Sequence, residues 1–277
     1  MLARPWSAVV RVPTVDGLAW FKENPTPTRF EPALTVALAR RRPDCVPEVI
    51  AAEGARLLTR GGGDRLRDVY SGTGPAPDWE EVVALHAETQ IDFMTDVDEA
   101  LALGTPDRRP DALAALAAEL PGWRGVTELL VRIAERVDNV IPLTVVHEEM
   151  TDRNVIARGE RVRLIDWAEA SVTHPFVGAL MPLRVQNGRG GFEPGSPEVE
   201  RLRDVYLEPF TRFAAPDELR RTFESVYLLT PAVRALGWHA ILSPIDPAAA
   251  AEVGDVIGAW LEVFHAIHDG TISLGDA

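Results

Sequence analysis

The chain contains a single cysteine, Cys45, so it forms no internal disulfide and holds no cysteine-rich metal site. An inert, buried thiol is the plain reading. No apolar run approaches the roughly 18 residues that a membrane span requires. The opening MLARPWSAVV lacks the long apolar core of a signal peptide, so a cytoplasmic protein without membrane contact is expected. Basic charge is scarce: 28 Lys and Arg stand against 42 Asp and Glu, a formal charge of −14. A nucleic-acid partner gripped through its phosphates needs the opposite sign, and none is expected. A cationic small substrate is compatible with the balance. Several signatures are also missing. There is no G-x-G-x-x-G and no G-x-x-x-x-G-K-[ST], and Thr151 stands where H-E-x-x-H needs its second histidine. No G-x-S-x-G nucleophile elbow occurs. A carboxylate pair acting on a sugar stays open, but nothing places a second acid at a defined distance from Glu149.

What is present is ordinary globular composition, 46% apolar and 25% charged over 277 residues, enough for two lobes and a substantial core. The most informative stretch is 144–167, TVVHEEMTDRNVIARGERVRLIDW. Apolar runs at Val155–Ala157 and Val162–Ile165 flank a turn at Gly159-Glu160 and predict a β-hairpin. Asn154 enters the first strand and Asp166 leaves the second, so both lie at the open end, with strands roughly 5 Å apart. The segment bearing His147, Glu148, Glu149 and Asp152 reaches the same end. Converging oxygen side chains of this kind suit a hard cation such as Mg²⁺.

Before that stretch, residues 7–12 and 18–22 predict another hairpin around Asp16-Gly17, and Lys22 ends its second strand. The lysine reads equally as a solvated edge charge. A helix follows, with Ala33, Leu34, Ala37 and Leu38 on one face and Arg40–Arg42 in its last turn. Thr28 and Glu31 match a capping box, and Glu31 is also a candidate partner for Lys22. Pro32 places Glu31 in extended geometry at the helix edge. Short runs 47–52 and 56–59 surround Glu53-Gly54, and Gly61–Gly63 is the natural lobe boundary. Asp78 is the expected cap of the next helix, with His86 a packed helix histidine. Helices are expected within 96–120 and over 124–140, 198–213, 216–229, 231–242 and 247–268, with 186–195 as a surface loop. The order predicts an α+β chain in two lobes.

The run HEEMTDRN (147–154), followed by the hairpin and Ile165-Asp166-Trp167, has the layout of a kinase catalytic loop: an acid near the acceptor hydroxyl, then an Asn and a later Asp for the metal. The sequence resembles the aminoglycoside phosphotransferase and choline-kinase-like group of small-molecule kinases, whose usual run is H-G-D-x-H-x-x-N followed by I-D-W or I-D-F. Here Glu149 replaces the catalytic Asp, Glu148 the glycine and Thr151 the second histidine.

The resemblance implies a protein-kinase-like fold, with a strand-rich nucleotide-binding N-lobe over residues 1–62. A mostly helical C-lobe over 63–277 would carry the embedded hairpin and the acceptor site. With six residues before Ser7, the first strand is expected to be short or missing. The resemblance further implies ATP and Mg²⁺ as cofactors, bound by Lys22, Glu31 and Ser7 on the nucleotide side. Arg56–Arg60 would be the hinge strand beside the adenine. Asn154 and Asp166 would hold the metal, and Glu149 the acceptor hydroxyl. His147 and Trp167 would support the loop, while Asp152 and Glu169 are expected to be solvated. The implied activity is transfer of the ATP γ-phosphate to a hydroxyl of an amino sugar, antibiotic or amino alcohol. A kinase-like binder with weak or no catalysis is the alternative. No signal for an oligomeric state is present.

Overall fold

In a computed structural model of the protein, the described residues are 2–4, 7–71, 78–137, 140–159, 161–189 and 193–272. The first quarter is the expected strand-rich lobe. Its elements are β1 (Leu2–Arg4), β2 (Ser7–Thr14), β3 (Gly17–Glu23), α1 (Glu31–Arg41), β4 (Val49–Glu53) and β5 (Arg56–Arg60). They form an antiparallel sheet in the order β1-β2-β3-β5-β4. The first strand exists and has three residues, with Leu2 opposite Val9. The β2–β3 turn is made by Val15-Asp16, and Gly17 already pairs with Thr14. Its φ of +119° is why a glycine is needed to start that strand. Helix α1 buries Leu34, Ala37 and Leu38 and packs on β4. The capping-box expectation fails. Thr28 closes a short 3₁₀ turn, the residue before α1 is Phe30, and no side chain caps the helix. Glu31 is helical rather than extended, which frees its carboxylate for another partner.

Between β5 and β6 (Asp64–Arg65) the chain leaves this sheet and joins a second one, in the order β6, β8 (Val155–Arg158), β9 (Arg161–Leu164). Gly63 sits at the crossing with φ +145°, where a Cβ would lie 2.1 Å from the Ala157 carbonyl oxygen. Only glycine permits that backbone approach. Helices α2 (Leu66–Tyr70), α3 (Trp79–Asp92), α4 (Val97–Ala102), α5 (Leu113–Ala117) and α6 (Thr127–Ala134) follow. Asp78 caps α3 by accepting from the Glu80 N–H at 3.1 Å. The helix expected over 124–140 is instead a 3₁₀ turn, Trp123–Val126, followed by α6; residues 138–139 lie outside the described residues.

Strand β7 (Thr144–Val146) pairs with β10 (Ser171–Thr173), and β8 (Val155–Arg158) with β9 (Arg161–Leu164) forms the anticipated hairpin. Gly159 turns it at φ +62°, and Glu160 lies outside the described residues. The helical remainder is α7 (Leu180–Arg189), α8 (Pro197–Leu207), α9 (Pro216–Tyr227), α10 (Thr230–Leu242), α11 (Pro247–Ala251) and α12 (Val256–His268). Three expectations change here. Gln186–Arg189 belong to α7 rather than to a loop; residues 190–192 are outside the described set. Pro209, lacking an N–H, ends α8 in a 3₁₀ turn. Residues 247–268 are two helices, because Gly254 at φ +79° breaks the run and Asp255 recaps it on the Gly258 N–H at 2.9 Å. Among the described residues no helix is long and apolar enough to cross a membrane. The core of the helical part is aromatic, with Phe176 edge-on to Phe210 at 5.0 Å and both buried. The turn that carries Phe176 packs on β7, the strand that leads into the 147–154 loop.

Candidate active site

The site lies where Lys22 of β3 meets Asp166 at the open end of the β8–β9 hairpin. Register puts Lys22 opposite Val9 on β2 and Leu57 on β5. Its ammonium lies 2.6 Å from Glu31 Oε2 and 2.5 Å from Asp166 Oδ1, with 13% of the side chain exposed. Burial works against the charge, but Asp166 and Glu31 together outweigh it and hold the ammonium above the ordinary lysine range. The solvated-edge reading of Lys22 is thereby replaced. It is also the single lysine of the chain, beside 27 arginines.

Asp166 has φ +67°, the one positive value among the described non-glycine residues. Backbone held there costs on the order of 1 kcal/mol or more and gathers at functional sites. The turn aims the carboxylate back across the cleft at Lys22. Burial disfavours the Asp166 charge, yet Lys22 holds its carboxyl below the usual range.

Asn154 is fixed by three bonds. Its N–H donates to Thr151 O and its carbonyl accepts from Ile165 N, both at 2.9 Å, while Nδ2 donates to Glu149 O at 2.9 Å. The last bond commits the amide nitrogen inward and leaves the side-chain oxygen as the donor for a cation. A buried His147 Nε2–H donates to Ile165 O at 2.9 Å, and its ring meets Trp167 edge-on at 4.7 Å. Burial lowers the His147 pKa, so a neutral ring ties the loop to the strand that carries Asp166. Ser7 stands two residues before Val9 on β2, on the sheet face that Lys22 shares. Arg56–Arg60 is β5, beside β3.

The acidic dipeptide of the loop is built differently from the expectation. Glu148 is buried and accepts from Arg108 Nη1 through both oxygens at 2.7 Å and from the Ser171 hydroxyl. Arg108 comes from the α4–α5 connection, whose backbone joins β10 through Arg108 N–H to Val172 O at 2.9 Å. Burial and the neighbouring Glu169 push the Glu149 carboxyl up to about 9. The contact between the two carboxyl groups favours the protonated form of Glu149 and the ionised form of Glu169. Burial disfavours the Glu169 charge, but Arg234 at 2.8 Å on α10 and the bond with Glu149 hold that carboxyl below the ordinary range. Asp152 and Glu169 are thus not solvated. Asp152 is 1% exposed and meets Arg67 at 3.2 Å, and the Glu169 side chain is 12% exposed.

Sequence reasoning missed Arg67, Arg108, Ser171 and Arg234. Arg234 left a signal, a lone cation in the apolar run Ala232-Val233-Arg234-Ala235-Leu236. Arg108 left none, since its partner is 40 residues away.

Asp166 and Asn154 offer two hard oxygen donors. Among the described residues no group of three or more His, Cys, Asp or Glu side chains could hold a metal ion. Mg²⁺ is commonly held by one or two protein oxygens, with phosphate and water completing its shell. The donor set fits a metal that arrives with a phosphate.

No protein-family model matches this sequence, and no curated protein matches it. Solved structures do. A macrolide 2'-phosphotransferase, MphH from Brachybacterium faecium, aligns over 89% of this chain and 88% of its own with TM-score 0.52 at 18% identity. The choline kinase LicA from Streptococcus pneumoniae aligns over 93% and 89%, TM-score 0.58, at 10% identity. The amicoumacin kinase hAmiN, solved with AMP-PNP and Ca²⁺, aligns over 98% and 88%, TM-score 0.62, at 10% identity. The chain has the fold shared by aminoglycoside phosphotransferases and choline kinases, a small antiparallel-sheet lobe on a helical lobe.

Proposed function

We propose that the protein is an ATP- and Mg²⁺-dependent phosphotransferase that moves the γ-phosphate to a hydroxyl of a small molecule. An amino sugar, an antibiotic or an amino alcohol is the acceptor class. The observation that carries the reading is Lys22 held between Glu31 and Asp166, in a fold whose solved examples include macrolide, choline and amicoumacin kinases. An ammonium anchored to a helix carboxylate at the mouth of a metal-type turn is the arrangement phosphoryl transfer requires, because its catalysis is mainly positioning and charge neutralisation.

Residues 1–62 would bind the nucleotide, with Ser7 on the sheet face of Lys22 and β5 beside the base. Residues 63–277 would bind the acceptor. Lys22, kept in place by Glu31, would contact the α- and β-phosphates, while Asp166 and Asn154 would hold the metal. A bound divalent ion supplies neutralisation of phosphate charge. Glu149 would orient the acceptor hydroxyl, and His147 with Trp167 would keep the loop registered on Asp166. As the hydroxyl oxygen bonds to the γ-phosphorus, the bond from that phosphorus to the bridging oxygen breaks and ADP leaves, while the hydroxyl proton would pass to the ionised carboxylate of the Glu149–Glu169 pair.

The test is calorimetry of Mg-ATP binding together with ATP turnover over a panel of hydroxylated metabolites and antibiotics. Binding and acceptor-dependent turnover that Asp166→Ala removes are expected. Absence of Mg-ATP binding, with no change on Asp166→Ala, would sink the reading. A second reading, a kinase-like binder with weak or no transfer, is favoured by the burial of Glu149 beside Glu169, which pushes its carboxyl up. Glu149→Asp separates the two. A rise in turnover marks a weakened kinase, and absent turnover in both forms with Mg-ATP binding intact marks a binder.

A further inference from the structure

Three neighbouring rings beneath the 147–154 loop carry four buried nitrogens with no partner among the described residues. They are His86 Nδ1 and Nε2, His147 Nδ1 and Trp167 Nε1. None of the three side chains is more than 1% exposed. The His147 ring is the hub, with its centroid 6.5 Å from that of His86 and 4.7 Å from that of Trp167, edge-on in both cases. Buried polar atoms are nearly always hydrogen-bonded, so four of them in one place call for a common partner.

Proton positions define that partner. Ile165 O can only accept, so the His147 proton sits on Nε2. Burial keeps the ring neutral, and Nδ1 is then a lone pair in need of a donor. His86, also kept neutral by burial, has one N–H and one lone pair, and Trp167 has one N–H. Ring nitrogens stand little more than an ångström from a centroid, so those of His86 and His147 stay about 4 Å apart or more. That is beyond a direct bond of roughly 2.7–3.2 Å and within the span of one water. Among the described residues no group of three or more His, Cys, Asp or Glu side chains could hold a metal ion there. The His86 ring is held in place from its far side. A Cβ on Gly178 would lie 2.6 Å from His86 Cε1, so only a glycine lets the turn Pro175–Ala179 press against it.

We propose that one buried water is a fixed ligand of this cluster, bridging His86 to His147 Nδ1, and that His86 is thereby a positioning residue for the candidate active site. The water donates to Nδ1 and accepts from a ring N–H of His86 or Trp167, within the roughly two to four partners that a buried water takes. His147 then keeps its other proton on Ile165 O, the residue before Asp166. Helix α3 thus reaches the Asp166 turn through His86, the water and His147. The positioning role rests on the phosphotransferase reading, whereas the bridge stands apart from it.

Cross-relaxation between water and the imidazoles, with the ¹⁵N shifts of the six histidines of the full chain, tests the bridge. Acceptor-dependent ATP turnover tests the role. Wild type is expected to show a long-lived water at both rings and a hydrogen-bonded His147 Nδ1. His86→Leu, close to histidine in volume but without nitrogens, should lose the water signal at His147 and move Nδ1 to the shift of a bare lone pair. Its kcat should fall by roughly tenfold or more through misplacement of the loop, with Tm at pH 7 little changed. His86→Gln, which keeps a donor and an acceptor, should restore the Nδ1 shift and bring kcat back to within about threefold of wild type.

A His147 Nδ1 shift that is the same in wild type and His86→Leu overturns the bridge. Turnover by His86→Leu within threefold of wild type, or a loss that His86→Gln does not rescue, overturns the positioning role. If wild type turns over no acceptor, the phosphotransferase reading falls, while the water signal and the Nδ1 shift still decide the bridge.

Discussion

Two sets of cations face the segment 147–169, and they are built from different residues. On the sheet side stands Lys22, shared between Glu31 and Asp166. On the helical side stand Arg108 and Arg234, each committed to one carboxylate, Glu148 or Glu169, at 2.7 and 2.8 Å. The arginines are 5% and 2% exposed. Residues 1–62 carry nine basic and six acidic side chains, and residues 63–277 carry nineteen and thirty-six. The contrast is between a contact that can exchange and contacts that cannot. A flexible ammonium sits where a ligand's phosphate would compete for it, and planar forks sit where the loop must stay still.

The arginine side should fail first as structure. Arg108→Met or Glu148→Gln leaves one buried partner uncompensated, a loss of about 3–5 kcal/mol, which lowers Tm by roughly 6–10 °C at about 2 °C per kcal/mol. Scanning calorimetry reads this, and the double variant should recover much of it, since a Met–Gln pair strands no charge.

The lysine side should fail as function. Lys22→Arg keeps the charge but not the shape, and ATP turnover should fall on the order of a hundredfold while Tm moves little. A fold-change under about three would erase the distinction between the two sides.

Glu149 lies between them and gives a pH test. Its carboxyl is raised to about 9 from an unfolded value near 4.5, so the folded state keeps a proton that the unfolded state has lost. Stability from this group is fully present below about pH 4.5 and declines as pH rises toward 9. Glu149→Gln removes the decline. Thermal melts should show the variant level with wild type near pH 5 and ahead at pH 8, by about 1.4 kcal/mol for each pH unit over which only the unfolded carboxyl has lost its proton.

The smallest effect belongs to buried imidazoles that take no part in the contrast. His86 and His174 are depressed by burial to about 3, below an unfolded value near 6.5. The unfolded chain binds their protons first, so stability falls as pH drops below 6.5, by about 1.4 kcal/mol per ring one unit down. His86→Leu should flatten that slope in melts at pH 5.5 against pH 7.

Local rules reached far in the N-terminal lobe, because hairpins announce themselves within a dozen residues. Gly17 and Gly54 mark two of its turns, and the strands they join were placed to within a residue or two. Where the rules failed, a neighbour in space decided. Thr28-x-x-Glu31 has the letters of a capping box, but a buried ammonium is a stronger partner for Glu31 than a helix N–H. The break at Gly254 followed from one backbone angle that a helical period does not register.

The residues Lys22, Glu31, His147, Asn154 and Asp166 were all legible in the sequence as candidates, since strand ends, turns and a catalytic-loop spacing are local patterns. Tertiary structure decided what each one faces. It gave Lys22 two carboxylates instead of one. It also turned Glu148, which occupies a glycine position of the resembling group, into half of a buried clamp, and it placed Glu169 beside Glu149, which raises the Glu149 carboxyl. Those outcomes depend on Arg108 and Arg234, which lie 40 and 65 residues from their partners. Burial and charge at such distances act through the folded solvent-free interior, and no pattern along the chain encodes them.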